Sequence, residues 1–263
     1  MIKLFIDAGH GGNDPGAVAN GMRESDINFE VSKKLAEILR NSDCGFDIML
    51  SRPTTETNPR HPLDNGKSVN ARAIMSNEWG ADYLISIHTN AAGGTGAELF
   101  FWEDTATVRK FSKSVLDTYC KHLALRNRRN EATNRWGVIR LTKCPAILFE
   151  LAFIDSPAHN PDVNILRYKR DEMAEALAVG ICKYFGKKFS LPSQGFDSTC
   201  ASKVHKAINI LHKHGVINSP DYWRQNYSRL KYLDELLINT AEKLEELQAR
   251  LERLLRSCNA RKM

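Results

Sequence analysis

The chain has 263 residues, 42% hydrophobic and 26% charged, with a formal net charge of +6. Those proportions exclude a disordered or fibrous class, and no apolar run is long enough to span a membrane as a helix. The basic excess is concentrated in residues 189–263, with 12 Lys+Arg against 8 Asp+Glu; it suits an anionic partner without choosing one.

Read from the start, MIKLFIDAGH has no basic n-region, no long apolar core and no small-residue cleavage site. The sequence therefore predicts synthesis in the cytoplasm without a signal peptide. The six Cys (44, 120, 144, 182, 200, 258) form no C-x-x-C pair and are expected to be reduced, mostly buried thiols. Ile2–Ala8 reads as a buried strand. Asn28–Arg40 carries apolar residues at helical spacing, Phe46–Leu50 is a short strand, and Val69–Trp79 is a helix. Tyr83–His88 and Ala97–Trp102 read as strands, Ala106–Leu123 as a helix. Gly137–Leu141 and Ala146–Leu151 read as strands, and Ile165–Phe185 as a helix. Strands and helices alternating at this pace predict an α/β fold, a mainly parallel, doubly wound, twisted sheet flanked by helices. Ligands in such sheets collect beyond the carboxyl ends of the strands.

GKKFSLPSQGFDST (186–199) reads as a linker, and beyond it the strand signal disappears. Val204–Leu211 is a short amphipathic helix. Ser219 and Pro220 are suited to begin another. A heptad then places Leu230, Leu237, Leu244 and Leu251 at one seam position and Leu233, Thr240, Leu247 and Leu254 at the other. About four heptads suffice for a coiled coil, so the sequence predicts a small all-α module at 200–263 that makes a homo-oligomer through 230–257. Tyr222, Trp223, Tyr227 and Tyr232 are read first as the core of that module and second as sugar-stacking groups.

The chemistry is concentrated in FIDAGHGGNDPGA (5–17), where His10 closes a strand and opens a glycine-rich loop. A phosphate cradle needs G-x-G-x-x-G or a P-loop lysine; H-G-G-N-D-P-G has neither. A metal site needs more ligands at the same sheet edge. Glu24, just before a predicted helix, and His88, at the end of YLISIH, supply them. His10, Glu24 and His88 with an open fourth position would be a catalytic zinc arrangement. Glu150 ends AILFE at that edge, where a buried carboxylate is costly unless paired or functional. Taken singly, each residue has a plain reading: a capped strand end for the His, a helix-dipole charge for Glu24. His61 sits among turn formers and is not read as a ligand.

DAGHGGNDPGA, then Glu24, RAIMSN, ADYLISIHTNA and PAILFELAFID, in that order, resemble the zinc-dependent N-acetylmuramoyl-L-alanine amidases of the Amidase_3 type over residues 1–186. The resemblance implies that His10, Glu24 and His88 bind Zn2+ and that Glu150 is the catalytic carboxylate, general base and then general acid. It implies bacterial peptidoglycan as substrate, cut between N-acetylmuramic acid and L-alanine. It makes 1–186 the catalytic domain, 187–199 the linker and 200–263 the helical module. Two departures lie beside the expected site, Ala152 after EL and the longer turn DSPAHNPD.

An enzyme of this class without a signal resembles a phage or prophage endolysin, which reaches the wall after the membrane is permeabilised. Its tail would hold anionic wall polymers, oligomerise the enzyme, or both. Rival expectations are a zinc carboxypeptidase or deacetylase acting on wall material, and a non-catalytic wall-binding scaffold. RNRRN (126–130) is read as a solvated loop, so nucleic acid is not an expected partner, and with only strand-length apolar runs neither is a membrane.

Overall fold

The computed structural model describes residues 1–189, 198–214, 216 and 240–248. The chain divides into two compact units, Met1–Pro192 and Ser193–Met263.

In the first unit the elements run β1 (Ile2–Ala8), β2 (Val18–Ala19), β3 (Met22–Arg23), α1 (Glu24–Asn41), β4 (Phe46–Leu50), α2 (Ser68–Trp79) and β5 (Tyr83–Asn90). They continue with β6 (Ala97–Phe101), α3 (Ala106–Leu123), β7 (Asn127–Ala132), α4 (Gly137–Leu141), β8 (Ala146–Phe153), α5 (Pro161–Tyr168) and α6 (Arg170–Tyr184). Six strands form one sheet in the order β4-β1-β5-β8-β6-β7; β2 and β3 make a separate antiparallel pair. Within the large sheet β4, β1, β5 and β8 are parallel, β6 runs antiparallel to β8, and β7 runs parallel to β6. This is the mixed α/β, mostly parallel sheet that the alternating elements predict.

Both faces of the sheet are covered, which is why its inner strands are apolar nearly throughout. Ile6, Ile87, Phe149 and Leu99 point into a large core closed by α1, α3 and α6. Phe5, Leu84, Leu148 and Phe100 point the other way, into a smaller core with Val138 and Ile139 of α4 and Val69 of α2. Each fully buried Leu, Ile or Phe contributes roughly 1.5–3 kcal/mol, so the thick layer carries most of the stability. The thin layer leaves room above the strand ends. From β1 the chain goes outward to β4, then crosses to β5 on the other side. The carboxyl ends of β1 and β5 are therefore the topological switch point, where a crevice opens.

Three expectations are corrected. Gly137–Leu141 is a helical turn, not a strand. Its short apolar run fits either period, and tertiary packing decides: Val138 and Ile139 enter the thin core, while Asn77 of α2 donates to Leu141 O at 3.0 Å and accepts from Lys143 N–H at 2.8 Å. Ile165–Phe185 is two helices, because Asn160 caps a start at Pro161 and Lys169, at φ −123 and ψ 34, breaks the run. Asn127–Asn130 of RNRRN lie in the edge strand β7, not in a loop. An edge strand pairs on one side only and needs no apolar face, so its charged residues conceal it.

In the second unit α7 covers Ser198–Lys213, and residues 240–248 are helical. The heptad residues Leu230, Leu233, Leu237, Leu251 and Leu254, the cap at Ser219 and the aromatics Tyr222, Trp223, Tyr227 and Tyr232 lie outside the described residues, as does most of the linker. No helix among the described residues is long and apolar enough to cross a membrane.

Candidate metal centre

His10, Glu24 and His88 come from three elements and meet at the switch point. His10 follows β1. Glu24 is the first residue of α1, which begins four residues before the expected start and so carries the carboxylate to the sheet edge. His88 lies near the end of β5. Each offers a donor atom, and these atoms all lie within 4.8 Å of one another. Glu24 Oε1 is 3.2 Å from His10 Nε2 and 3.1 Å from His88 Nδ1. The two rings stand edge to face, 5.0 Å between centroids and 78° apart. A tetrahedral ion with bonds of about 2.0–2.1 Å separates neighbouring donors by about 3.3 Å, so the cluster fits zinc in both spacing and donor type. Among the described residues no other three His, Cys, Asp or Glu side chains bring their donor atoms together in this way.

The glycines explain why an imidazole sits in so small-residued a loop. A Cβ on Gly9 would lie 2.3 Å from Cε1 of His88, inside the ring's own space. A Cβ on Gly16, at φ +61, would lie 2.6 Å from Glu24 Oε2. The loop is thus kept thin against its own ligands. His10 itself has φ 61, a left-handed conformation that a non-glycine residue holds only at a cost of about 1–3 kcal/mol.

Residues the sequence reading passed over brace His10 and Glu24. Asp14 Oδ2 meets His10 Nδ1 at 2.9 Å, and its Oδ1 accepts the Gly16 N–H. With Nδ1 taken, Nε2 is the nitrogen turned to the centre. Asp14 was hidden in what reads as a plain N-D-P-G turn. Arg52, fully buried, donates through Nη2 to Ser25 O at 2.6 Å and Gly9 O at 3.3 Å, and through Nε to Ala8 O. One guanidinium therefore ties the residue before His10 to the residue after Glu24. Burial, then the charge of Arg72, brings its pKa down to about 10, which leaves it charged at neutral pH. Arg72 pairs with buried Asp7 and donates to His10 O at 2.6 Å. Burial works against the Asp7 carboxylate, but Arg72 and the Ser86 hydroxyl outweigh it and hold its pKa below the usual range.

The electrostatics favour a cation. Burial alone would raise Glu24, yet hydrogen bonds from the two imidazoles hold it well below the usual carboxylate range. Glu24 Oε1 also accepts Thr89 N–H at 3.0 Å, and Oε2 accepts Ala17 N–H at 2.9 Å. Burial would lower His10, but Glu24 and Asp14 raise it to about 9. Both shifts favour the charged forms of Glu24 and His10.

Glu150, on β8, is the register partner of His88 on one side and of Glu98 on the other. It is buried, and its Oε2 has no hydrogen-bond partner among the described residues. Burial first, then the charges of Glu24 and Glu98, push its pKa up to about 8. It lines a cavity of about 400 Å3 together with His10, Glu24, His88, Asn90 and Trp136. All four residues singled out in the sequence line this one cavity. His61 does not: its Nε2 faces Glu78 at 3.1 Å and its Nδ1 accepts the Leu63 N–H.

The Amidase_3 family model, described as N-acetylmuramoyl-L-alanine amidase, matches residues 4–183. The sporulation-specific N-acetylmuramoyl-L-alanine amidase of Bacillus subtilis is 34% identical over 191 residues, covering 73% of this chain and 69% of that protein. The endolysin of Bacillus phage SPP1 is 31% identical over 199 residues, 72% of this chain and 68% of that protein. The crystal structure of an N-acetylmuramoyl-L-alanine amidase from Clostridium difficile 630 is similar with a TM-score of 0.62 at 28% identity, over 71% of this chain and 98% of that one. The matched span contains every residue that lines the cavity, and the chain belongs to the Amidase_3 family of N-acetylmuramoyl-L-alanine amidases.

Proposed function

We propose that this peptidoglycan amidase works through zinc held by His10, Glu24 and His88, with Glu150 as the proton carrier. Zinc, when bound, supplies a Lewis acid for the scissile carbonyl and acidifies a water. The chain's own residues do the rest. Glu150 takes the proton of the attacking water and returns it to the leaving alanine nitrogen. A carboxyl with raised proton affinity suits both halves of that task. Asp14 and Arg52 hold His10 and Glu24 in place before substrate arrives.

The observation that carries this reading is the bare Oε2 of Glu150, buried in the same cavity as the three donors. A buried acceptor without a partner costs about 1–3 kcal/mol or more, and a reacting proton gives it a use. The test is metal content together with product analysis on purified walls. One zinc per chain and new L-alanine amino termini, without new reducing sugar, are expected. Release of D-alanine, or turnover that persists in chelator, would overturn the assignment.

We further propose the endolysin setting, in which the enzyme reaches the wall after the membrane is permeabilised. Its support is the phage endolysin among the relatives, beside which stands the sporulation-specific amidase. Expression in a Gram-positive host should lyse cells only when the membrane is opened; lysis without opening counts against it.

A further inference from the structure

Beyond the metal donors and Glu150, the cavity has a polar wall that the proposed mechanism leaves unused. Asn90 lies on β5 two residues past His88 and lines the same cavity. Its backbone is anchored to the end of β8, where Ile154 N–H donates to Asn90 O at 2.8 Å. Its side chain reaches across β8 to β6, and Nδ2 donates to Glu98 Oε2 at 2.7 Å.

Which end of that amide faces Glu98 is settled by chemistry. Glu98 is buried, and its other oxygen faces Nε of Arg128 at 2.5 Å and of Arg129 at 3.3 Å. Arg128 is itself seated on the Phe153 ring, 5.1 Å from its centroid. A carboxylate so placed only accepts. The amide nitrogen must therefore turn toward Glu98, and the amide oxygen turns away from it. No donor to that oxygen exists among the described residues. Glu98 is also the register partner of Glu150, so the Asn90–Glu98 pair stands beside the proton carrier. A fixed acceptor there matches one feature of the substrate, the N–H groups of the peptide stem next to the scissile bond.

We propose that Asn90 binds the substrate by accepting a stem-peptide N–H through Oδ1, and that Glu98, held by Arg128 and Arg129, is the positioning residue that fixes the amide in that sense. The inference rests on the amidase reading of the same site.

The test uses the full chain carrying Glu150→Gln, so that ligand binds without turnover, and a soluble muramoyl dipeptide with each stem nitrogen N-methylated in turn. Calorimetry should show one derivative binding about tenfold more weakly than the parent. Adding Asn90→Ala should weaken the parent and abolish that discrimination, with zinc content unchanged. In the turnover-competent chain, Glu98→Gln should raise KM more than it lowers kcat, and Glu98→Asp should restore KM. Equal binding of all three ligands overturns the proposal whether or not the Asn90 variant folds. So does discrimination that survives in Asn90→Ala. If the wild-type chain binds the muramoyl dipeptide and discriminates yet releases no L-alanine amino terminus, the amidase reading fails by itself. Wild-type cleavage with no discrimination sinks this inference alone.

Discussion

Asp14 and His10 are hydrogen-bonded at 2.9 Å through Nδ1, and this one bond decides which imidazole nitrogen faces Glu24. Such outer partners typically contribute 10–100-fold in metal affinity. Asp14→Ala is expected to weaken zinc binding by about that factor, measured by competition with a chelator, while the fold melts near its normal temperature. Unchanged affinity would mean that the loop alone orients His10.

Glu150→Gln tests the proton carrier. The amide keeps the shape and the burial but cannot shuttle a proton. Zinc content should stay at one per chain, and kcat should fall by at least about a hundredfold. Near-normal turnover would remove Glu150 from the reaction; loss of zinc would make it a ligand.

The stability of the metal-free protein should fall as pH rises. His10 is raised to about 9 in the fold, so its contribution is complete below the unfolded value of about 6.5 and disappears as pH climbs through 9. Glu150 is raised to about 8. Between about 4.5 and 8 the folded chain holds a proton that the unfolded chain has released, so that interval also lowers stability as pH increases. The two groups act in the same direction. Melting in chelator at pH 5, 7 and 9 should give a descending series, and Glu150→Gln should flatten its lower half. A rising series would contradict both assignments.

Arg72→Met leaves Asp7 buried without its cation and removes the bond to His10 O. Breaking a buried pair from one side costs about 3–5 kcal/mol. Denaturant titration should show that loss. Converting the pair together, Asp7→Asn with Arg72→Met, should recover part of it. A loss below about 1 kcal/mol would show that water reaches Asp7.

The apolar runs of β1 and β4 and the helical spacing of α3 can be read to the residue, because burial on defined faces leaves a periodic trace. His10 and His88 are legible for a related reason: each closes such a run, and parallel strands gather their ends. Other parts leave no trace of that kind. β7 is an exposed edge, so its composition is that of a surface loop. Val138 and Ile139 are adjacent apolar residues, a pattern equally suited to strand and helix until Asn77 brackets the turn. Asp14, Arg52 and Glu98 act through partners distant in the sequence or through a turn that looks ordinary, and only folding shows what they hold.

The three donors lie on the end of one strand, the start of one helix and the end of another strand. An unfolded chain cannot assemble them, so an ion held as proposed would favour the native state. Every tenfold excess of free ion over its dissociation constant would then add up to about 1.4 kcal/mol to that state. On the zinc reading proposed above, the heat tolerance of this enzyme is expected to be a property shared with its surroundings, rising and falling with the zinc they supply.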